Sequence, residues 1–453
     1  METNIIRALP GRHTVQAGVL TAALLLGCAP ATHRGADGSG PAASAPAPPA
    51  NSPPLQTGCG DSEWSAPRPV AGVPAGSILR NVSLALRGEH GYVVGNDIWL
   101  FDSLPSPPRP LLVLTLDGRD IGEPAGDFHF ADPRALLDTD GTLHLLWAEP
   151  ADGWRPVKRW EWAGFRQHYG TLWHAAYAPA TGWTSPVRIY ASSHITWHHG
   201  MAEAAFDPAT GLHGVIADDA AGTMVHLSRA QGAWETRPIP GIARAPVYIS
   251  VAVDGSGRVY VAYVDALRGT RGDANSVFLV RSPDGGRTWL PPQLISRSGG
   301  DLATQLRVLA APDGTAHLVW AKNVSGGLEP QVIRHVRSGD KGETWSAPED
   351  VDIPDGLGTL NATVDACGAV HVIHESHADE RNAQSDVRRL FYARWNGRWS
   401  TLESPFGDLN STEADMVAGS DGFPELVWTV VRLAPNPLHS TFLSVRSRLR
   451  ARP

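Results

Sequence analysis

Apolar and polar positions alternate in short runs through most of this chain, most clearly at residues 245–289. Residues 247–253 (Val-Tyr-Ile-Ser-Val-Ala-Val) have the period of two of a strand, Asp254-Gly-Ser-Gly257 is a turn, and residues 258–264 form a second run. A loop rich in Gly and charge follows. Residues 276–281 then form a third run, and the stretch closes on Ser282-Pro-Asp284-Gly-Gly286-Arg-Thr288-Trp289. β-Branched and aromatic runs punctuated by Gly/Asp turns predict successive antiparallel strands. The same turn-plus-strand pair recurs at 140–147, 211–216, 257–263, 313–320, 368–374 and 421–428, with a weaker copy at 91–94.

A repeat of more than about forty residues built this way predicts propeller blades, each of four strands. Shorter endings follow at Gly182-Trp183, Gly232-Ala-Trp234 and Gly397-Arg-Trp399. The last repeat, from about Ser411, has no Trp ending, whereas Gly60-Asp-Ser-Glu-Trp64-Ser-Ala-Pro67 supplies one at the other terminus. Residues 62–72 are therefore expected to form the outer strand of the last blade and remove an exposed edge. The expectation is one all-β propeller domain over 59–453, with seven blades, closed by an N-terminal strand. Six blades, with 77–120 as an irregular addition, is the alternative.

The octet ending at Trp289 resembles the Asp box, Ser-x-Asp-x-Gly-x-x-Trp, of the sialidase superfamily. A second copy is Ser338-Gly-Asp340-Lys-Gly342-Glu-Thr344-Trp345. Its role in that family is structural. Asp284 and Asp340 would accept backbone N–H bonds, Gly would take positive φ, and Trp289 and Trp345 would plug gaps between blades. The box lies away from the catalytic face, so it speaks to fold and not to reaction.

The N-terminus changes the picture of location. Arg7 and Arg12 precede an apolar run, residues 15–26, that is short for a membrane span and reads as a secretory segment over 1–27. Leu24-Leu-Leu-Gly27-Cys28 resembles a bacterial lipobox, which implies lipidation of Cys28. It also implies anchoring in the cell envelope, at the outer membrane because no Asp follows Cys28. Residues 28–58, rich in Ala, Pro and Ser, cannot bury enough to fold and read as a tether. Cys59 and Cys367 remain, and an exported compartment allows them to pair.

Net charge is −8 and no basic stripe occurs, so no nucleic-acid partner is expected. The 16 Trp residues suit blade plugs and sugar-stacking platforms alike. No cofactor or metal is implied, and a monomer touching the membrane only through its lipid is expected.

In a propeller the innermost strand of each blade starts at the face where ligands bind. Period-2 alignment of the repeats aims Asp132 and Arg134, Glu203, Tyr248 and Ser250, Gln305 and Arg307, Thr359 and Asn361, and Glu413 and Asp415 into that mouth. A wet channel would also be polar, but so many charges favour a ligand pocket. The loop from Trp154 to Trp162 interleaves Trp160 with cations, which suits stacking on sugars. Other loops carry Arg268, Arg271 and Lys322. His168, His174, His194, His198 and His199 cluster between the second and third blades, whereas His144, His213, His317 and His371 recur at one strand position and read as packing residues.

Three chemistries fit. Resemblance to sialidases implies arginines on a carboxylate and a Tyr activated by a Glu, here Tyr248 with Glu203, but the family's Arg-Ile-Pro motif is absent. Resemblance to ulvan lyases implies β-elimination from a uronate, with His174, His198 or His199, and Tyr248 as acid and base and Arg268 or Arg271 on the carboxylate. The third reading is a non-catalytic glycan- or protein-binding propeller. The partner common to the first two is an anionic oligo- or polysaccharide, held by Arg134, Arg307 and Arg268 with Asp132, Trp160 and Glu413 around it. The reading leans to a glycan-cleaving enzyme.

Overall fold

The computed structural model describes residues 62–73, 78–87, 90–98, 111–128, 130–151, 169–197, 203–242, 246–265, 275–297, 302–323, 331–353, 360–377, 388–400, 411–418, 423–432 and 439–449. The described residues are all-β, in antiparallel sheets, none of which closes on itself. Seven successive sets of strands can be followed. They open with Ile78–Arg87, Ala131–Leu137, Glu203–Asp207, Val247–Val253, Leu302–Ala310, Leu360–Val364 and Ser411–Ala418. Each opening strand pairs with the strand that follows it in sequence. The second and third sets belong to one nine-stranded sheet, because Val187–Thr196 runs on to pair with Gly211–Asp218 at Ile195↔Asp218 and Thr196↔Ala217.

The opening strands pack side by side in order, and the seventh packs against the first. Buried clusters fill the junctions between sets. Tyr260, Ala262 and Leu279 of the fourth set meet Leu306, Leu318 and Trp320 of the fifth. Val427 of the seventh meets Val82, Leu84 and Val93 of the first. The middle strand Val259–Val264 is buried at every position, as a strand covered on both faces must be. Ser62–Trp64 pairs antiparallel with His439–Leu449, with Trp64 opposite Ser447, and Arg68–Pro69 pairs with the same strand.

The octet turns show why their residues are needed. Asp284 Oδ1 accepts the Thr288 amide at 2.8 Å and Oδ2 the Thr288 hydroxyl at 2.7 Å, while the Gly286 amide donates to Ser282 Oγ at 2.7 Å. Asp340 accepts the Thr344 amide at 2.8 Å in the same way. Gly286 has φ +87°, and a Cβ there would lie 2.0 Å from His226 Cε1 of the preceding set. The turn can press on its neighbour only without a side chain.

That contact belongs to a repeated interior pattern. Buried histidines pair within sets: His144 Nδ1 lies 3.0 Å from His174 Nε2, His213 Nδ1 3.0 Å from His226 Nε2, and His317 Nδ1 3.0 Å from His335 Nε2. In the sixth set His371 Nδ1 meets Tyr392 Oη at 2.9 Å. Trp rings from the following set close over these pairs edge-on: Trp234 on His174, Trp289 on His226, and Trp399 on His335. Trp64, from the N-terminal strand, covers Tyr392 in the same manner.

Candidate functional site

The opening strands surround a cavity of about 380 Å³. One residue of each strand occupies the same level: Ser83, Arg134, Glu203, Ser250, Arg307, Asn361 and Asp415, all but the wholly buried Ser250 lining the cavity. Beyond this polar collar the walls turn apolar, with Leu136, Ala205, Leu309 and Val417 two residues further along their strands. That is the period of two again, one turn of the pleat deeper.

The collar is tied across the cavity. Arg307 Nε lies 2.9 Å from Glu203 Oε1 and donates to Asn361 Oδ1 at 3.3 Å. Ser250 Oγ donates to Glu203 Oε2 at 2.5 Å and accepts the Val308 amide at 3.0 Å. Asn361 Nδ2 donates to Asp415 Oδ1, whose Oδ2 accepts the Leu84 amide at 2.7 Å. Burial pushes the Asp415 carboxyl upward, against the pull of these donors and of Arg134 and Arg307.

Arg134 differs from the rest. Its only hydrogen bond among the described residues is from Nη1 to the Pro133 carbonyl at 3.2 Å, and it makes no ion pair there. It is 9% exposed and lines the cavity. Burial lowers its pKa, which the charges of Asp132, Asp415 and Glu203 oppose. A guanidinium is not deprotonated by such a shift. Arg134 therefore presents a buried positive charge with unused donors toward the cavity.

The collar is set by backbone irregularities. Asn81, Asp132, Tyr248 and Gln305 have φ between +45° and +50°. At each, the pairing register of the opening strand slips by one residue. A bulge inserts an extra residue and re-aims the side chains around it. This corrects the alternation expected at the mouth. Asp132 turns into the structure, 5% exposed, and accepts Tyr169 Oη at 2.9 Å. Gln305 Oε1 accepts the Leu360 amide of the next strand set. Tyr248 packs against the core between the fourth and fifth sets, and burial raises its pKa. No hydrogen bond joins Tyr248 to Glu203, whose oxygens are taken by Arg307 and Ser250.

The structure also separates His174 from the cavity. It is buried against His144 and Trp234, and burial depresses its pKa to about 3. It does not join Tyr248 in an acid/base constellation. Arg134, Arg307 and Glu203 are brought together. His199, Arg268, Trp160, Cys28 and Cys59 lie outside the described residues, and Glu413 stands on the strand Ser411–Ala418 with its side chain outside them. Cys367 is disulfide-bonded to a partner outside the described residues. Asp284, Trp289, Asp340 and Trp345 sit in the octet turns, not at the cavity.

Sequence reasoning passed over Ser83, although it occupies the same repeat position as Ser250. It also passed over Tyr169 and Trp197, whose tie to Asp132 depends on long-range packing that no local pattern announces.

No protein-family model matches the chain, and no curated protein matches it. Among solved structures, a protein of unknown function from Dyadobacter fermentans is similar at 12% identity over 85% of this chain and 99% of that one, with a TM-score of 0.49. The polysaccharide lyase Uly1 is similar at 12% identity over 83% and 90%, with a TM-score of 0.48. A point mutant of the NanB sialidase of Streptococcus pneumoniae is similar at 13% identity over 86% and 70%, with a TM-score of 0.41. At such identities and scores the activity of this chain has to be argued from its own residues.

Proposed function

We propose that this chain is a seven-bladed, Asp-box propeller, closed by its N-terminal strand and held at the bacterial cell envelope through a lipid on Cys28. It binds an anionic saccharide in the central cavity. The observation that carries the binding reading is Arg134, a buried guanidinium without an ion pair among the described residues, facing a cavity that Arg307 also lines. A carboxylate or sulfate there would gain charge-assisted hydrogen bonds from a guanidinium that burial shields from bulk water. Pairing of Ser62–Trp64 with the last strand, and the packing of Trp64 on Tyr392, support the closure. The seven junctions between sets support the blade number.

Binding is favoured over turnover because Glu203 is spent on Arg307 and Ser250 and Tyr248 is turned into the core. The test is titration of the full chain, in detergent, with sialylated and uronate-rich oligosaccharides, followed by mass spectrometry of each mixture. Binding without new products, lost in Arg134→Gln, is the expected result. Products carrying added water would restore the sialidase-like reading, and products with an unsaturated end the lyase reading. Unchanged binding in Arg134→Gln would remove the cavity from the proposal.

A further inference from the structure

Arg134 is free to meet an anion only because a carboxylate two residues away does not take it. Asp132 stands on the same strand, and its charge is the leading one opposing the effect of burial on Arg134. Yet no ion pair joins them. The carboxylate is held elsewhere: Tyr169 Oη donates to Asp132 Oδ2 at 2.9 Å from the third strand of the same set. The backbone is held as well, since Trp197 Nε1 donates to the Asp132 carbonyl at 2.8 Å. Tyr169 is 2% exposed and Trp197 fully buried, and both belong to the core between the second and third sets.

Asp132 also carries the bulge, with φ +46°. A non-glycine residue in that region is strained and persists only where its surroundings over-determine it. Here the donors Tyr169 and Trp197 contribute to that. The bulge decides that Asp132 points into the core while Arg134 points into the cavity. Of the bulge residues Asn81, Asp132, Tyr248 and Gln305, Asp132 alone is charged, and it alone precedes a collar arginine that lacks an ion pair.

We propose that Tyr169 and Trp197 are positioning residues for anion recognition: they hold Asp132 off Arg134, and so keep the collar competent for a sugar carboxylate or sulfate. This rests on the anion-binding reading of the cavity. When Tyr169 loses its hydroxyl, the Asp132 oxygen it held turns to Arg134 and competes with the ligand. The competition is electrostatic, so removing the charge on Asp132 should cancel it even though Tyr169 is still missing.

The experiment is calorimetric titration of the full chain with sodium glucuronate and with sodium sulfate, ionic strength being fixed with chloride. Wild type should bind, and Arg134→Gln should not. Tyr169→Phe should weaken binding about tenfold, the scale of one charge-assisted hydrogen bond. Tyr169→Phe combined with Asp132→Asn should return to within about twofold of wild type, because an amide is a weaker competitor for a guanidinium. Should Tyr169→Phe fail to fold, Trp197→Phe, which removes the other donor to Asp132, must weaken binding severalfold and Asp132→Asn added to it must restore binding, while Asp132→Asn alone stays within about twofold of wild type. Wild-type affinity in Tyr169→Phe, with Arg134→Gln inactive, overturns the positioning role and leaves the anion site standing. Weakened binding that Asp132→Asn does not recover overturns it too, and assigns Tyr169 to packing. No binding of either probe by wild type overturns the anion site and the positioning role together.

Discussion

The buried histidine pairs make the stability of this protein depend on pH in the range where few other groups titrate. His174 and His226 are pushed down to about 3, and His213 and His317 to about 4, first by burial. For His174 and His226 the partner histidine adds to the shift, as do Arg229 and Arg237. His335 is depressed by burial, by His317 and by Arg337. The folded values lie below the unfolded value of about 6.5, so the unfolded chain binds the extra protons. Stability is therefore full above about pH 6.5 and falls as pH drops toward the folded values. A histidine shifted this far costs about 2 kcal/mol by about pH 5. Counting the four histidines His174, His226, His213 and His317 gives a loss of about 8 kcal/mol. That is a large share of a typical domain stability of about 5–15 kcal/mol. Urea unfolding followed by Trp fluorescence at a series of pH values from about 7.5 to 5 reads it directly, since most carboxylates remain ionised in that range. A midpoint that does not move over that range refutes the reasoning. So does an unchanged slope after His213→Gln with His226→Leu and His317→Gln with His335→Leu.

Four further outcomes are expected. Gly286→Ala should cost more than about 3 kcal/mol in urea unfolding, because strain at positive φ is joined by overlap with His226. Gly314→Ala, at φ +87° with nothing within 4 Å of its Cβ, should cost only about 1 kcal/mol. Ser250→Ala should lower stability by about 1–3 kcal/mol, since the Val308 amide loses its partner and Glu203 a donor, and the same unfolding assay measures it. Cys59→Ser should expose one reactive thiol at Cys367 to a thiol-specific dye in denaturant, where wild type shows none from that residue. A silent Cys367 in that variant would reject the Cys59 pairing.

What could be read along the chain was whatever repeats locally. The run at 247–264 announces paired strands, which the structure forms from Val247–Val253 and Val259–Val264. The recurrence of His144, His213, His317 and His371 marked them as packing residues, and each is buried. The site was half legible for one reason: period-2 counting is safe only in an unbroken strand. Counting from the turn placed Arg134 and Arg307 on the axis, where the structure has them. It also placed Asp132, Tyr248 and Gln305 there, and the bulges at those residues turn them away. The residue types told only part of this, since an αL position is ordinarily marked by Gly, Asn or Asp, which Asn81 and Asp132 satisfy and Tyr248 and Gln305 do not. The bulges are held by distant donors and packing, such as Tyr169 and Trp197 on Asp132. The same irregularity that hid the site from the sequence also builds it. A regular strand would aim Asp132 and Arg134 at the same face, where they would neutralise each other, whereas the bulge parts them and leaves the guanidinium to the cavity.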